Sequence, residues 1–174
     1  MTDVADGRDP MVQALLDKQA IREALDRYSR GIDRLDAELV TSAFHDDGID
    51  DRGPMGSSQG AAIAAGVFAS MEKATVATMH HNTNVTIELD GDVAGVETYA
   101  FGIHLQVVRG EKRRLLTAKR YLDRFERRDG VWRIAHRRSI SELSRSMPLE
   151  GEAENRGQVG ARDRTDLSYE VLGL

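Results

Sequence analysis

Residues 78–143 read TMHHNTNVTIELDGDVAGVETYAFGIHLQVVRGEKRRLLTAKRYLDRFERRDGVWRIAHRRSISEL. Four β-prone runs stand out, Thr78–Leu89, Val93–Val108, Arg113–Arg127 and Val131–Leu143, divided by Asp90-Gly91, Arg109-Gly110 and Asp129-Gly130. Asp-Gly between such runs signals a hairpin, because the favoured two-residue turns need positive φ at their central positions. Three tight turns joining four long strands predict an antiparallel meander. Regular alternation puts Val85, Ile87 and Leu89 on one face of the first strand and His80, Asn82 and Asn84 on the other. Tyr99, Phe101, Ile103, Leu105 and Val107 share a face of the second. Tyr121 and Phe125 share one in the third, and Trp132 and Ile134 in the fourth. Arg137 falls off that last face, so a bulge is needed to turn it inward.

Upstream, the periodicity changes from two to between three and four. Val12, Leu15, Leu16, Ile21, Ala24, Leu25 and Tyr28 mark an amphipathic helix over Met11–Arg30, with Gly31 as its stop and Ile32-Asp33-Arg34 as a link. Asp36 is placed to cap a second helix reaching about Phe44. His45–Gly60, rich in Asp, Gly and Ser, reads as loop with at most a short strand near Ile49. Gln59–Glu72 reads as a third helix carrying Ile63, Val67, Phe68 and Met71. Helices first and strands afterwards give an α+β fold, with the sheet curved around the helices to leave a cone-shaped cavity. The domain is expected over residues 11–146. Residues 1–10 form a disordered N-terminus, and 147–174 a tail that docks on the pocket or on a neighbouring subunit.

The 174 residues suit a single domain with a core of its own. The absence of cysteine excludes disulfides, thiolate metal sites and cysteine nucleophiles. A net charge of −5 gives no nucleic-acid footprint. With no signal-like run and no membrane-length apolar stretch, a cytoplasmic protein is expected, without membrane or nucleic-acid partners. His45, Asp46, Asp47, Asp50 and Asp51 lack the spacing of a calcium loop, so no metal is expected. Gly53–Gly60 lacks the lysine of a phosphate loop.

Candidate chemistry lies in a carboxylate and a histidine far apart in sequence. Asp33 could cap the following helix or orient an imidazole; periodicity allows both. His80 and His81 point to opposite faces of a regular strand, so one of them at most meets the cavity. Tyr28 fits the core face of the first helix and could equally present its hydroxyl to a ligand.

Taken together, Tyr28-x-x-Gly31-Ile32-Asp33, Phe44-His45-Asp46-Asp47, His80-x-x-x-Asn84 and Tyr121-x-Asp123-x-Phe125-Glu126-Arg127-x-Asp129-Gly130-Val131-Trp132 resemble the SnoaL-like family of the nuclear transport factor 2-like superfamily. The resemblance covers about Leu15–Ser144. It includes bile-acid and scytalone dehydratases, lindane dehydrochlorinase and polyketide cyclases, and it implies a cone fold, no cofactor, and a trimer or dimer. It assigns His80 as general base, Asp33 as its orienting carboxylate, and Tyr28 and Arg137 as stabilisers of charge on oxygen. The pocket is expected to be lined by Tyr99, Phe101, His104, Tyr121, Trp132 and Phe68. The bile-acid enzyme carries a further acid near the stretch matched by Tyr99–Phe101, where this sequence has none. The activity implied is a cofactor-independent lyase of the dehydratase kind, acting on an apolar ring compound. An isomerase or cyclase would share its first step, and a binding domain or an oxygenase-supporting subunit would use the fold without that chemistry.

Overall fold

A computed structural model describes residues 9–69, 71, 74–149 and 157–173. Residues 1–8 of the segment 1–10 expected to be disordered, the end of the third helix at residues 70 and 72, and residues 150–156 and 174 of the tail lie outside it. Asp9 and Pro10 of that first segment instead cap and open a helix. In chain order the elements are α1 (Pro10–Arg34), α2 (Ala37–Ser42), β1 (Phe44–Asp51), a 3-10 turn (Gly53–Met55), β2 (Ser57–Gln59), α3 (Ala62–Ala69), β3 (Thr75–Asp90), β4 (Val93–Val108), β5 (Glu111–Arg128), β6 (Val131–Pro148) and α4 (Leu167–Leu172). The six strands form one sheet in the order β2-β1-β6-β5-β4-β3. Every pairing is antiparallel except β1 with β6, which is parallel.

The meander β3–β6 follows from its turns. Arg109 and Gly110 both have positive φ, as do Asp129 and Gly130, the pattern of a type I′ hairpin. The first turn differs in detail: its central residues are Gly91 and Asp92, Asp90 pairs with Val93, and only Gly91 has positive φ.

Helix α1 begins on Pro10, with Asp9 accepting from the Met11 N–H at 2.8 Å. Ile21, Ala24, Leu25, Tyr28 and Ile32 are buried, whereas Met11, Val12, Leu15 and Leu16 overhang the sheet and stay exposed. Gly31 does not stop the helix, which runs on to Arg34 and ends at Leu35 in the left-handed conformation. Instead Gly31 lets α2 come close: a Cβ there would lie 2.7 Å from the Val40 backbone nitrogen. Asp33 therefore belongs to the last turn of α1, and Asp36 caps α2 by accepting from the Leu39 N–H at 3.1 Å.

Residues expected as loop form the β1–β2 hairpin, which extends the sheet beyond β6. β1 is hard to read because it is acidic, with Phe44 and Ile49 as its large apolar residues. Its ladder with β6 is broken between Phe44 and Ile49, where Gly48 passes so close to Ile134 that a Cβ would sit 2.9 Å from its carbonyl oxygen.

The core lies between α1–α3 and the concave face of the sheet. Phe44, Ile87, Val96, Phe125, Trp132 and Ile134 close over Ile21, Leu25 and Ile32. At the narrow end Asp17 accepts from the Trp132 Nε1–H at 2.9 Å and from Arg127 Nη1 at 2.9 Å, and pins α1 to β6. The tail returns to its own chain. The Tyr169 hydroxyl donates to Asp36 Oδ2 at 2.7 Å, Arg30 lies over the Tyr169 ring at 4.7 Å, and Arg34 pairs with Asp166 at 2.8 Å. No helix among the described residues is long and apolar enough to cross a membrane.

Candidate active site

Strand irregularities aim the inward side chains. β3 carries an extra residue between Asn82 and Val85, opposite Ala100 and Thr98 of β4. Regular alternation had set His80 against Ile87; the bulge puts both on the concave face and leaves His81 exposed on the convex one. In β6, Ala135 is unpaired because Phe125 faces Ile134 while Arg124 faces His136. That is the bulge Arg137 requires, and its side chain is wholly buried.

Asp33, from the end of α1, meets His80 inside the fold. Its Oδ1 accepts from the His80 Nδ1–H at 2.7 Å, and its Oδ2 accepts from the His80 main-chain N–H at 2.9 Å. A carboxylate on Nδ1 leaves Nε2 as the basic nitrogen of the neutral ring. Nε2 of His80 has no hydrogen-bond partner among the described residues. The His104 ring stands edge-on to His80, with centroids 5.2 Å apart and planes at 79°. Thr78 Oγ1 holds His104 Nδ1 at 2.9 Å. Burial, with His80 and Lys119 nearby, lowers the His104 pKa to about 4, so its ring is neutral at neutral pH. Gly102 makes room for this arrangement, since a Cβ there would lie 2.6 Å from both His104 Nε2 and Thr117 Oγ1.

His80 and His104 open onto a cavity of about 310 Å³ inside the cone. Tyr28, Ile32, Val67, Met71 and Leu115 give it an apolar side; Thr117, Lys119, Ser139, Ser141, Ser144 and Arg52 give it a polar one. Behind the pair, towards the tail, is a shallower groove lined by Arg30, Arg34, Asn82, Asp166 and Ser168.

Of the residues singled out from sequence, Tyr28, His80, His104 and Tyr121 line the cavity. The others go elsewhere. Tyr99 and Phe101 are exposed on the convex face, because buried Thr98 and Ala100 set the parity of β4. Trp132 is buried on Asp17 at the narrow end, and Phe68 lines a groove between α2 and α3. Arg137 lies behind the cavity wall, its guanidinium carbon 4.3 Å from the Tyr28 ring centroid and 4.1 Å from that of Tyr121. It grips Asp123 through Nε–Oδ1 at 2.8 Å and Nη2–Oδ2 at 2.6 Å. Burial opposes its charge, but Asp123 more than compensates and keeps Arg137 cationic. Burial foremost, with Asp50, pushes the Tyr28 hydroxyl well above its usual pKa, so it stays a donor.

Sequence reasoning passed over Arg52 and Lys119, and it weighed Asp50 only within an acidic run that lacks calcium-loop spacing. Asp50 is fully buried, neither carboxylate oxygen has a hydrogen-bond partner among the described residues, and burial raises its pKa. Its nearest cation is Arg52 Nε at 3.7 Å. The acidic run of β1 was a signal that could have pointed there. Among the described residues no cluster of three His, Asp or Glu side chains could hold a metal ion.

Helices lying in the hollow of a curved mixed sheet, with an imidazole and a carboxylate paired inside the open end, define an α+β cone of the nuclear transport factor 2-like kind. The chain belongs to the SnoaL-like family, whose domain matches residues 13–138. Hexachlorocyclohexane dehydrochlorinase LinA type 3 from Novosphingobium barchaimii superposes with a TM-score of 0.73 at 22% identity, over 84% of this chain and 99% of that one. LinA type 2 gives 0.72 at 21% identity, over 85% and 99%. A protein provisionally assigned as a scytalone dehydratase, from Novosphingobium aromaticivorans, gives 0.69 at 21%, over 83% and 99%. At such identities the likeness shows the fold. A comparison with curated proteins finds no match.

Proposed function

We propose that this protein is a cofactor-independent acid–base lyase acting on a small ring compound with an electron-withdrawing group. The observation that carries this reading is the Asp33–His80 hydrogen bond at 2.7 Å, beside a cavity and with Nε2 unengaged among the described residues. Nε2 takes a proton from the carbon next to the activating group. The C–H electron pair becomes the new double bond, and the leaving group departs with its own pair. Asp33 holds the resulting imidazolium. Tyr28 donates to the oxygen that gains charge, while Arg137 acts on that phenol from behind and has no place on the cavity surface. Dehydration is the preferred case, in keeping with relatives named as a dehydrochlorinase and a dehydratase. Isomerisation or cyclisation would begin with the same proton transfer. A pair already within hydrogen-bond reach favours catalysis over a binding or oxygenase-supporting role.

The test is α-proton exchange of cyclohexanone in D₂O, followed by NMR. Wild type accelerates exchange and His80→Ala, still folded by circular dichroism, does not. Equal rates for the two proteins would overturn the reading.

We also propose that the chain self-associates through the convex sheet face, where Tyr99, Phe101, Ile103 and Leu143 lie exposed on β4 and β6. Light scattering should give a dimer or trimer mass for wild type and a monomer for Phe101→Glu. A monomeric wild type would refute this.

A further inference from the structure

Positive charge inside the cavity is not used by the proton transfer above. Lys119 lines the cavity from the middle of β5, and its ammonium makes no hydrogen bond or ion pair with the described residues. Arg52 lines the same space, fixed by Nη1 to the Gly66 carbonyl at 2.7 Å and by Nη2 to Ser58 Oγ at 2.9 Å. Asp123 neutralises Arg137, which leaves Asp50 as the buried carboxylate set against both Arg52 and Lys119. The balance at this wall is one positive charge in excess.

Hydroxyls surround it. Ser141 is the cross-strand neighbour of Lys119, and Ser139 that of Tyr121. A further bulge in β6, where Glu142 is unpaired between Ser141 and Leu143, restores inward parity and brings Ser144 into the cavity opposite Thr117. Three inward serines thus share the cavity with an ammonium that has no partner among the described residues. His80 pairs with Gly102, which pairs with Thr117; Lys119 is two residues further along β5. From strand spacings, the two backbones lie on the order of 10 Å apart, so one ring with a substituent can bridge the inward side chains.

We infer that Lys119, with Ser141 beside it and Arg52 behind, is the receptor for a carboxylate on the substrate, whose opposite end then meets His80. This rests on and deepens the acid–base reading, narrowing the expected apolar ring compound to one that also carries an acid group: the anchored anion decides which C–H faces Nε2. Burial lowers the Lys119 pKa against the pull of Asp50, and an arriving carboxylate would reverse that.

The test compares 3-oxocyclohexane-1-carboxylate with its neutral carboxamide, with Kd measured by calorimetry on the full chain. Wild type is expected to bind the carboxylate about tenfold more tightly, as a charge-assisted pair in a recessed cavity allows. Lys119→Gln should bind the carboxylate no better than the carboxamide, and Lys119→Arg should recover part of the preference. Equal affinity for the two probes in wild type, including no binding of either, overturns the inference, as does a preference that survives in Lys119→Gln. The acid–base reading fails separately: it falls if His80→Ala exchanges α-protons at the wild-type rate. The carboxylate preference should persist in that variant whatever its exchange rate.

Discussion

Asp33 holds His80 at two points, by the ring at Nδ1 and by the main-chain N–H. One carboxylate thus fixes both the tautomer of the imidazole and the position of its strand relative to α1. Asp33→Asn keeps the shape but presents an amide in place of one acceptor, which favours the wrong tautomer. By analogy with other orienting carboxylates, α-proton exchange should fall by roughly 10²–10⁴-fold. Cyclohexanone binding should change little, which separates orientation from affinity.

Arg137 and Asp123 are both wholly buried and joined by two short hydrogen bonds. Arg137→Met strands a carboxylate in the core and should cost about 3–5 kcal/mol in urea unfolding. The double variant Arg137→Met/Asp123→Leu should recover most of that loss, because it leaves no uncompensated charge. A double variant as unstable as the single one would show that the packing of Arg137 on the Tyr28 and Tyr121 rings, and not the charge, is what matters.

His104 makes stability depend on acid. Its folded pKa, about 4, lies below the ordinary value near 6.5. Between those values the unfolded chain binds a proton that the folded chain refuses, so its contribution is complete above pH 6.5 and is lost as pH falls towards 4. The melting temperature of wild type should drop across that window more steeply than that of His104→Gln. The His104 ring resonances should titrate near pH 4 in the native protein.

Gly31 faces α2 without a side chain. Gly31→Ala would raise helix propensity, worth at most about 1 kcal/mol. It also drives a methyl into the Val40 backbone, which cannot swing aside. The expected result is net destabilisation of about 1–3 kcal/mol by chemical denaturation.

The tail is held by specific contacts, and Tyr169→Phe removes the hydroxyl that donates to Asp36. The loss should be about 1–2 kcal/mol, because a buried carboxylate oxygen is left with Arg164 at 3.5 Å as its remaining partner. Limited proteolysis should then cut the 157–173 segment faster than in wild type.

The meander was legible because turn chemistry is local: Arg109-Gly110 and Asp129-Gly130 declare themselves in two residues each. The buried stripe of α1 from Ile21 to Ile32 was equally plain, being a matter of period. β1 was not, since Asp46, Asp47, Asp50 and Asp51 disfavour strands and only its partner β6 makes it one. The candidate site divided along the same line. Side chains carried by the family pattern, His80, Asp33 and Tyr28, come together, while Tyr99 and Phe101 looked like pocket residues only because aromatic content says nothing about which side of a sheet is hollow. Lys119 meets Asp50 and Arg52 only because β6 brings β5 within reach of the β1 end, and no short window of sequence contains that fact.

The extra residue at Thr83–Asn84 has a genetic corollary. Deleting a single codon there would leave one residue opposite Tyr99, straighten the ladder, and keep His80 opposite Gly102 and inside the hollow. Along this stretch of the gene the loss of one triplet is therefore a mild event, and lineages can drift in length here while Asp33 keeps its imidazole.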